Sequence, residues 1–277
     1  MALLAALALA SCARATADPA APKPRVVSLT PAATAIIASL EASAHLVGVT
    51  RYCDAPGVAP VGGMDARPEA VLARAPDLVV VGDYPSQAPL RAELEALGVR
   101  VEAVPLVRLS ELRASTLRLG AALGRSTQAQ ALVASLDADL ATARRRAATR
   151  RPVRVLLVYE VAQGYVYTSG GGDHLGDLLD ASGAVNVAAG GPLTTRLALD
   201  GVLARAPELI LHVAPSPGLP DDASALAHWR SLPDLPAVAG GHVHVWPDNH
   251  LAQNGPWVGS SALRLADLLD RVAAGRP

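Results

Sequence analysis

Neither sign of charge is in surplus. The 277 residues carry 24 Lys and Arg against 25 Asp and Glu, a formal net charge of −1. That balance leaves no electrostatic footprint for nucleic acid or an anionic membrane surface. Cysteine is nearly missing, with only Cys12 and Cys53. If Cys12 is removed or modified, Cys53 stands alone and no internal disulfide forms. A lone thiol is not a metal site, and neither C-x-x-C nor H-E-x-x-H occurs. There is no G-x-S-x-G elbow, Walker loop or G-x-G-x-x-G fingerprint, which argues against an α/β hydrolase or a nucleotide-using enzyme. Phenylalanine is absent, and basic residues are almost all arginine. We read both as genomic base composition in an alanine-rich chain.

Long apolar runs are also missing. Met1 to Ala10 is apolar but far short of the roughly 20 residues of a membrane span. It reads as the core of an export signal whose true start lies upstream of Met1. Leu9-Ala10-Ser11-Cys12 resembles a lipoprotein signal, with Cys12 as the lipidated residue; Ala13-Arg-Ala15 and Ala15-Thr-Ala17 suit ordinary cleavage instead. Asp18 to Pro24 is a linker rich in Pro and Ala.

What is present is organised around Ser126 to Arg151. Ala129, Leu132, Val133, Leu136, Leu140, Ala143 and Ala147 recur at spacings of three and four, one apolar stripe of a long helix. Ser126 or Thr127 can cap its start. Arginines crowd its end, where the helix dipole favours cations, and Pro152 stops it. Related sequence lies on both sides. Val-Leu-Ala-Arg-Ala-Pro is identical at 71–76 and 202–207. Arg25-Val-Val-Ser-Leu29 faces Arg154-Val-Leu-Leu-Val158, and Val99-Arg-Val101 faces Val243-His-Val245. The ordered series predicts two lobes of related architecture: a leader and linker over 1–24, lobes over 25–125 and 152–277, and a bridging helix over 126–151.

Within each lobe short apolar strands alternate with helices, the pattern of parallel sheets covered on both faces. Ligands bind such sheets beyond the carboxyl ends of strands. The loops to watch are 28–34, 50–56, 62–65, 82–85, 159–171, 190–195, 212–218 and 247–257.

Those loops carry a resemblance. Arg25-Val-Val-Ser-Leu-Thr-Pro-Ala-Ala-Thr34, Leu46-Val-Gly-Val-Thr-Arg-Tyr52, Pro76-Asp-Leu-Val79, Tyr167-Thr-Ser-Gly170 and Pro207-Glu-Leu-Ile210 are similar to stretches of the solute-binding proteins of ABC importers for vitamin B12, haem and iron-siderophores. The similarity runs from about residue 25 to 272 and looks closest to the B12-binding branch. It implies an α/β fold of two Rossmann-like lobes with parallel sheets joined by one long helix, like class III periplasmic binding proteins. It implies a monomeric, cofactor-free receptor, not an enzyme. The receptor sits in the periplasm, free or anchored through a lipidated Cys12, and hands a corrinoid to an ABC permease dimer with its ATPase. Haem or a ferric siderophore is the alternative ligand. An α/β enzyme using the cleft, or an anchored interaction protein without a small ligand, are the alternatives of other classes.

A bulky ligand with a flat apolar body and polar rim needs aromatic faces and a few hydrogen bonds. Tyr52, Tyr84, Tyr159, Tyr165, Tyr167 and Trp257 are the candidates, with at least three tyrosines expected at the cleft. Thr30 and Pro31 open a helix whose free N–H groups can meet a ligand, and Thr168 to Asp173 precedes another; ordinary capping is the alternative at both. Thr194, Asn249 and His250 stand where the B12-binding branch has its cleft tryptophans and acids, and Ala33 replaces an Asn of that branch. His250 is the candidate axial ligand to a ligand-bound iron or cobalt. Glu69 and Asp200 hold the same place in both repeat copies. The resemblance implies that they meet arginines of the two permease subunits; complementarity to the helix dipole is compatible with that role.

Overall fold

The computed structural model describes residues 23–63 and 65–276. Cys12 and the leader lie outside the described residues. Two separate four-stranded parallel sheets form the lobes. In the first, the order is Leu46–Val49, Val26–Ser28, Leu78–Gly82, Val101–Val104. In the second it is Ala184–Asn186, Val153–Val158, Leu209–His212, Val243–Val245. Matched from the strand that opens each lobe, the two orders are the same. The parallel-sheet reading is therefore correct in both lobes.

The sequence repeat has a structural cause. In each copy an arginine at the start of the opening strand clamps the end of the repeat helix. Arg25 donates from Nε to the Ala75 carbonyl at 2.9 Å and from its guanidinium to Arg74 O. Arg154 donates from Nε to Arg205 O at 3.1 Å. The acid after the proline accepts the N–H of that same arginine, Asp77 at 2.7 Å and Glu208 at 3.0 Å. The chain turns through a left-handed alanine in both copies, Ala75 at φ 45° and Ala206 at φ 42°. Such φ values are uncommon outside glycine, so their recurrence marks a shared turn rather than shared composition.

The bridging helix runs unbroken over Ser126–Ala147, 22 residues, about 33 Å at 1.5 Å per residue. It buries Ala129, Leu136, Leu140 and Ala143 of the predicted stripe. It packs against Leu109–Ala122 of the first lobe and the closing helix Val258–Ala273. Gly120 makes the first crossing close: a Cβ there would lie 2.3 Å from that of Ala129. Arg146 and Arg150 both bind Asp270 at 2.6 Å, tying the end of the rod to the closing helix.

Two expectations at its ends need correction. Neither Ser126 nor Thr127 caps the helix; Arg125 is the cap residue, without a side-chain cap bond. The preceding helix stops at Ala122 and turns through Gly124 at φ 65°, so the corner is too short for a separate cap. The helix also ends at Ala147, not Arg151. Thr149 and Arg150 donate to carbonyls three residues back, a tightened last turn. Pro152 disfavours helical backbone at the residue before it.

Three strands lie outside the sequence reading. Ala184–Asn186 edges the second sheet. Glu160–Ala162, Tyr165–Ser169 and Thr194–Ala198 form a small antiparallel sheet, of which only a short extended piece at 165–167 was expected. The loop expected over 190–195 runs into the strand Thr194–Ala198, of whose five residues only Leu197 is buried. Its pairing with Tyr165–Ser169 is long-range, and no local pattern encodes it.

Candidate functional site

The carboxyl ends of both sheets face one cleft. Val26–Ser28 delivers Leu29 and Thr30, Leu78–Gly82 delivers Tyr84, and Val153–Val158 delivers Tyr159 to its wall. This is where open parallel sheets expose free backbone ends and place ligands. An inner cavity of about 370 Å³ lies between the lobes. An outer cavity of about 460 Å³ adjoins it, and Pro31 and Gln253 border both. Each volume lies in the usual range of small-molecule sites, about 300–1,000 Å³.

On the first lobe, Thr30 begins the helix Pro31–Ser39 but makes no side-chain cap bond. Its carbonyl accepts the Thr34 N–H at 3.0 Å, and Pro31 fills the first helical position, where no donor is needed. Gln87, buried, stitches two strand ends. Its Oε1 accepts the Gly82 N–H at 2.6 Å and its Nε2 donates to Leu29 O at 3.2 Å. The Tyr84 ring folds back over Gly82, where an added Cβ would lie 2.2 Å from a ring carbon. Only glycine lets the backbone pass so close to the ring. Burial, and then the charge of Glu111, raises the Tyr84 phenol above its ordinary pKa.

On the second lobe, Asp173 is the hub. Its side chain accepts the Gly176 N–H at 3.0 Å and so caps the helix His174–Ala181. It also accepts the Ser169 hydroxyl at 2.9 Å and the Tyr159 hydroxyl at 3.1 Å. Burial, followed by the Asp173 charge, pushes the Tyr159 phenol well above its ordinary range. The Thr168–Asp173 helix start is therefore capped internally, and an arriving anion would meet a carboxylate. Burial also lowers the pKa of His174, whose Nε2 sits 3.0 Å from Leu251 O. From the connecting segment, Asn254 reaches across to the first lobe and donates to Leu106 O and Arg108 O at 2.9 and 3.0 Å.

The outer cavity is aromatic. His250 stacks on Trp257 with ring centroids 4.3 Å apart and planes 15° from parallel. Trp257 Nε1 donates to Gln253 O at 2.9 Å, which fixes the indole. Tyr52, 58% exposed, stands at the same cavity with the Arg51 guanidinium 5.7 Å from its ring. Asn249 and Asp54 complete that side.

Of the residues singled out in the sequence, Thr30, Pro31, Tyr84, Tyr159 and Thr194 border the inner cavity. Tyr52, Asn249, His250 and Trp257 border the outer one. Tyr167 borders neither. It shares a face of the small antiparallel sheet with Tyr165, which carries the Arg196 guanidinium at 4.3 Å. Val166, on the opposite face, packs into the core. Sequence reasoning missed Gln87, His174 and Asn254, and gave Asp173 no role beyond its helix start. Asp173 had a signal, an acid just before an amphipathic run. Gln87 and Asn254 had none, since each reaches a partner distant in sequence, 58 and 148 residues away.

Glu69 and Asp200 lie exposed in the first turns of the helices Pro68–Leu72 and Leu199–Arg205. Among the described residues no group of three or more His, Cys, Asp or Glu could hold a metal ion. No helix there is long and apolar enough to cross a membrane.

Comparison with known proteins agrees with this architecture. A search of curated proteins finds no match. Several solved structures match closely in fold. A periplasmic heme-binding protein, RhuT, from Roseiflexus sp. RS-1 is 23% identical, with TM-score 0.78 over 91% of this chain and 99% of that one. The periplasmic vitamin B12 binding protein BtuF of Vibrio cholerae is 21% identical, with TM-score 0.75 over 91% and 98%. A periplasmic heme binding protein from Pseudomonas aeruginosa is 25% identical, with TM-score 0.74 over 89% and 92%. Residues 26–250 match the periplasmic binding protein family. With that match spanning most of its length, and with two like lobes joined by one rod around a cleft, the chain belongs to the periplasmic binding protein family, a family of extracytoplasmic binding proteins rather than enzymes.

Proposed function

We propose that the protein captures a bulky metal chelate of the corrinoid or porphyrin class between its lobes and delivers it to an ABC importer. The observation that carries this reading is the outer cavity, where Tyr52 and the His250–Trp257 stack border about 460 Å³. A flat macrocycle gains most from such aromatic faces. The inner cavity adds hydrogen-bonding groups for its rim. A corrinoid is the first reading, because the resembling stretches lie nearest the B12-binding branch and a named B12-binding protein shares the fold. Haem is the second. Tyr52 and His250 favour it, since tyrosine and histidine side chains both ligate haem iron. A ferric siderophore, a metal chelate outside those two macrocycle classes, is a further alternative.

Glu69 and Asp200 are the proposed docking points for the two permease subunits. Their matching places on related lobes suit a two-fold partner. The receptor acts as a monomer in the periplasm, with Cys12 as the proposed lipid anchor. Titration with cyanocobalamin and with haemin tests the ligand. Saturable quenching of tryptophan fluorescence, or a shifted Soret band, is expected for one of them. An absence of saturable binding by both removes the proposal. Should haem bind, Tyr52→Ala or His250→Ala is expected to change its spectrum.

A further inference from the structure

The carboxylates and guanidinium or ammonium groups that border the two cavities are of one sign. Asp173 borders the inner cavity and Asp54 the outer, and no arginine or lysine among the described residues borders either. Asp173 is 8% exposed, and its three partners, Tyr159, Ser169 and the Gly176 amide, are all neutral. The arginine nearest Asp54 in sequence, Arg51, does not border the cavity; it pairs with Asp65 at 2.9 Å, 5.7 Å from the Tyr52 ring. His250, when charged, is matched by Asp248 at 3.4 Å. A second observation points the same way. Asn254 is 4% exposed and turns both donor contacts of its amide nitrogen to backbone carbonyls. Its Oδ1 has no donor among the described residues. The amide is thereby fixed with its acceptor unpaired and buried, in a residue that borders the inner cavity.

We propose that Asp54, Asp173 and Asn254 make the cleft selective for the rim charge of its ligand. It admits a neutral or cationic chelate edged with N–H or O–H donors and rejects one edged with carboxylates. The inference rests on the metal-chelate reading above and narrows it. A corrinoid rim carries carboxamides, whose N–H groups suit these acceptors. A porphyrin with two propionates would lose its hydration against a buried carboxylate with no cation to replace it. Like charges set together at an interface are a common means of rejecting a partner.

The test uses the full mature protein and three probes: cyanocobalamin, haemin, and haemin dimethyl ester, which has the same ring without the two charges. Dissociation constants come from tryptophan quenching in one buffer and cosolvent. Haemin is expected to bind at least about tenfold more weakly than its diester. Asp54→Asn and Asp173→Asn are each expected to narrow that ratio. Asparagine keeps the helix cap at 173, and position 54 is exposed, so both variants should fold. Haemin binding as tightly as its diester, or a ratio unchanged in both variants, overturns the selectivity inference alone. Failure of all three chelates to bind overturns the chelate reading, and this inference with it.

Discussion

Acidification should weaken the second lobe through one histidine, and the size of the effect follows from its surroundings. His212 ends the strand Leu209–His212 and is 2% exposed. Trp229, also buried, donates its indole N–H to His212 Nε2 at 3.0 Å. That bond requires a neutral imidazole with an unprotonated Nε2. Burial, and then the charge of His228, pushes the His212 pKa down to about 4. In the unfolded chain it returns to about 6.5. The folded pKa is the lower one, so the stabilisation is complete above pH 6.5 and is lost as pH falls toward 4. Between pH 7.5 and 5.0 the unfolded state takes up nearly a whole proton and the folded state about a tenth. Integrated over that interval, the loss is about 2 kcal/mol. His45, His174 and His242 are also lowered, chiefly by burial, so the total loss exceeds this. His212→Gln isolates the term, because glutamine can accept the indole N–H without titrating. Urea unfolding followed by tryptophan fluorescence at both pH values gives the comparison. The natural protein should lose about 2 kcal/mol more than the variant. Parallel pH profiles would refute the assignment.

Other outcomes follow from the same geometry. Gly82→Ala places a Cβ against the Tyr84 ring and should cost about 1–3 kcal/mol in thermal or urea unfolding while weakening chelate binding. Arg25→Ala and Arg154→Ala remove equivalent clamps, and each should lower stability by about 1 kcal/mol; a large effect in one lobe and none in the other would break the equivalence. Glu69→Lys and Asp200→Lys should leave chelate affinity within about twofold while each reduces uptake through the reconstituted importer by about tenfold. Unchanged uptake in both would remove the docking role.

Much of the architecture was legible because it rests on local signals. The stripe from Ala129 to Ala143 fixed the rod, and Pro31 and Pro152 marked helix limits through backbone sterics. The repeat around Val-Leu-Ala-Arg-Ala-Pro was legible for a deeper reason. The arginine, the acid and the alanine turn form one mechanical unit that recurs in both copies, with Asp77 in one and Glu208 in the other. Tyr52, Tyr84 and Tyr159 were legible by position, each close behind an apolar run. Tyr167 borders neither cavity, and its strand belongs to a sheet that no local pattern announces. The edge strand Ala184–Asn186 was missed for the same reason, its identity resting on a neighbour far away in sequence.

The chain's own order of letters thus determined the two related lobes, the rod between them and the end of each sheet where a cleft must open. Periodicity, proline and repeated motifs act within a few residues of themselves. Only the folded arrangement decided which polar groups meet inside that cleft: Asp173 with Tyr159 and Ser169, Gln87 with two strand ends, Asn254 with the opposite lobe. Those contacts depend on how distant segments pack, and the cleft's one-signed charge emerges only when the segments are brought together.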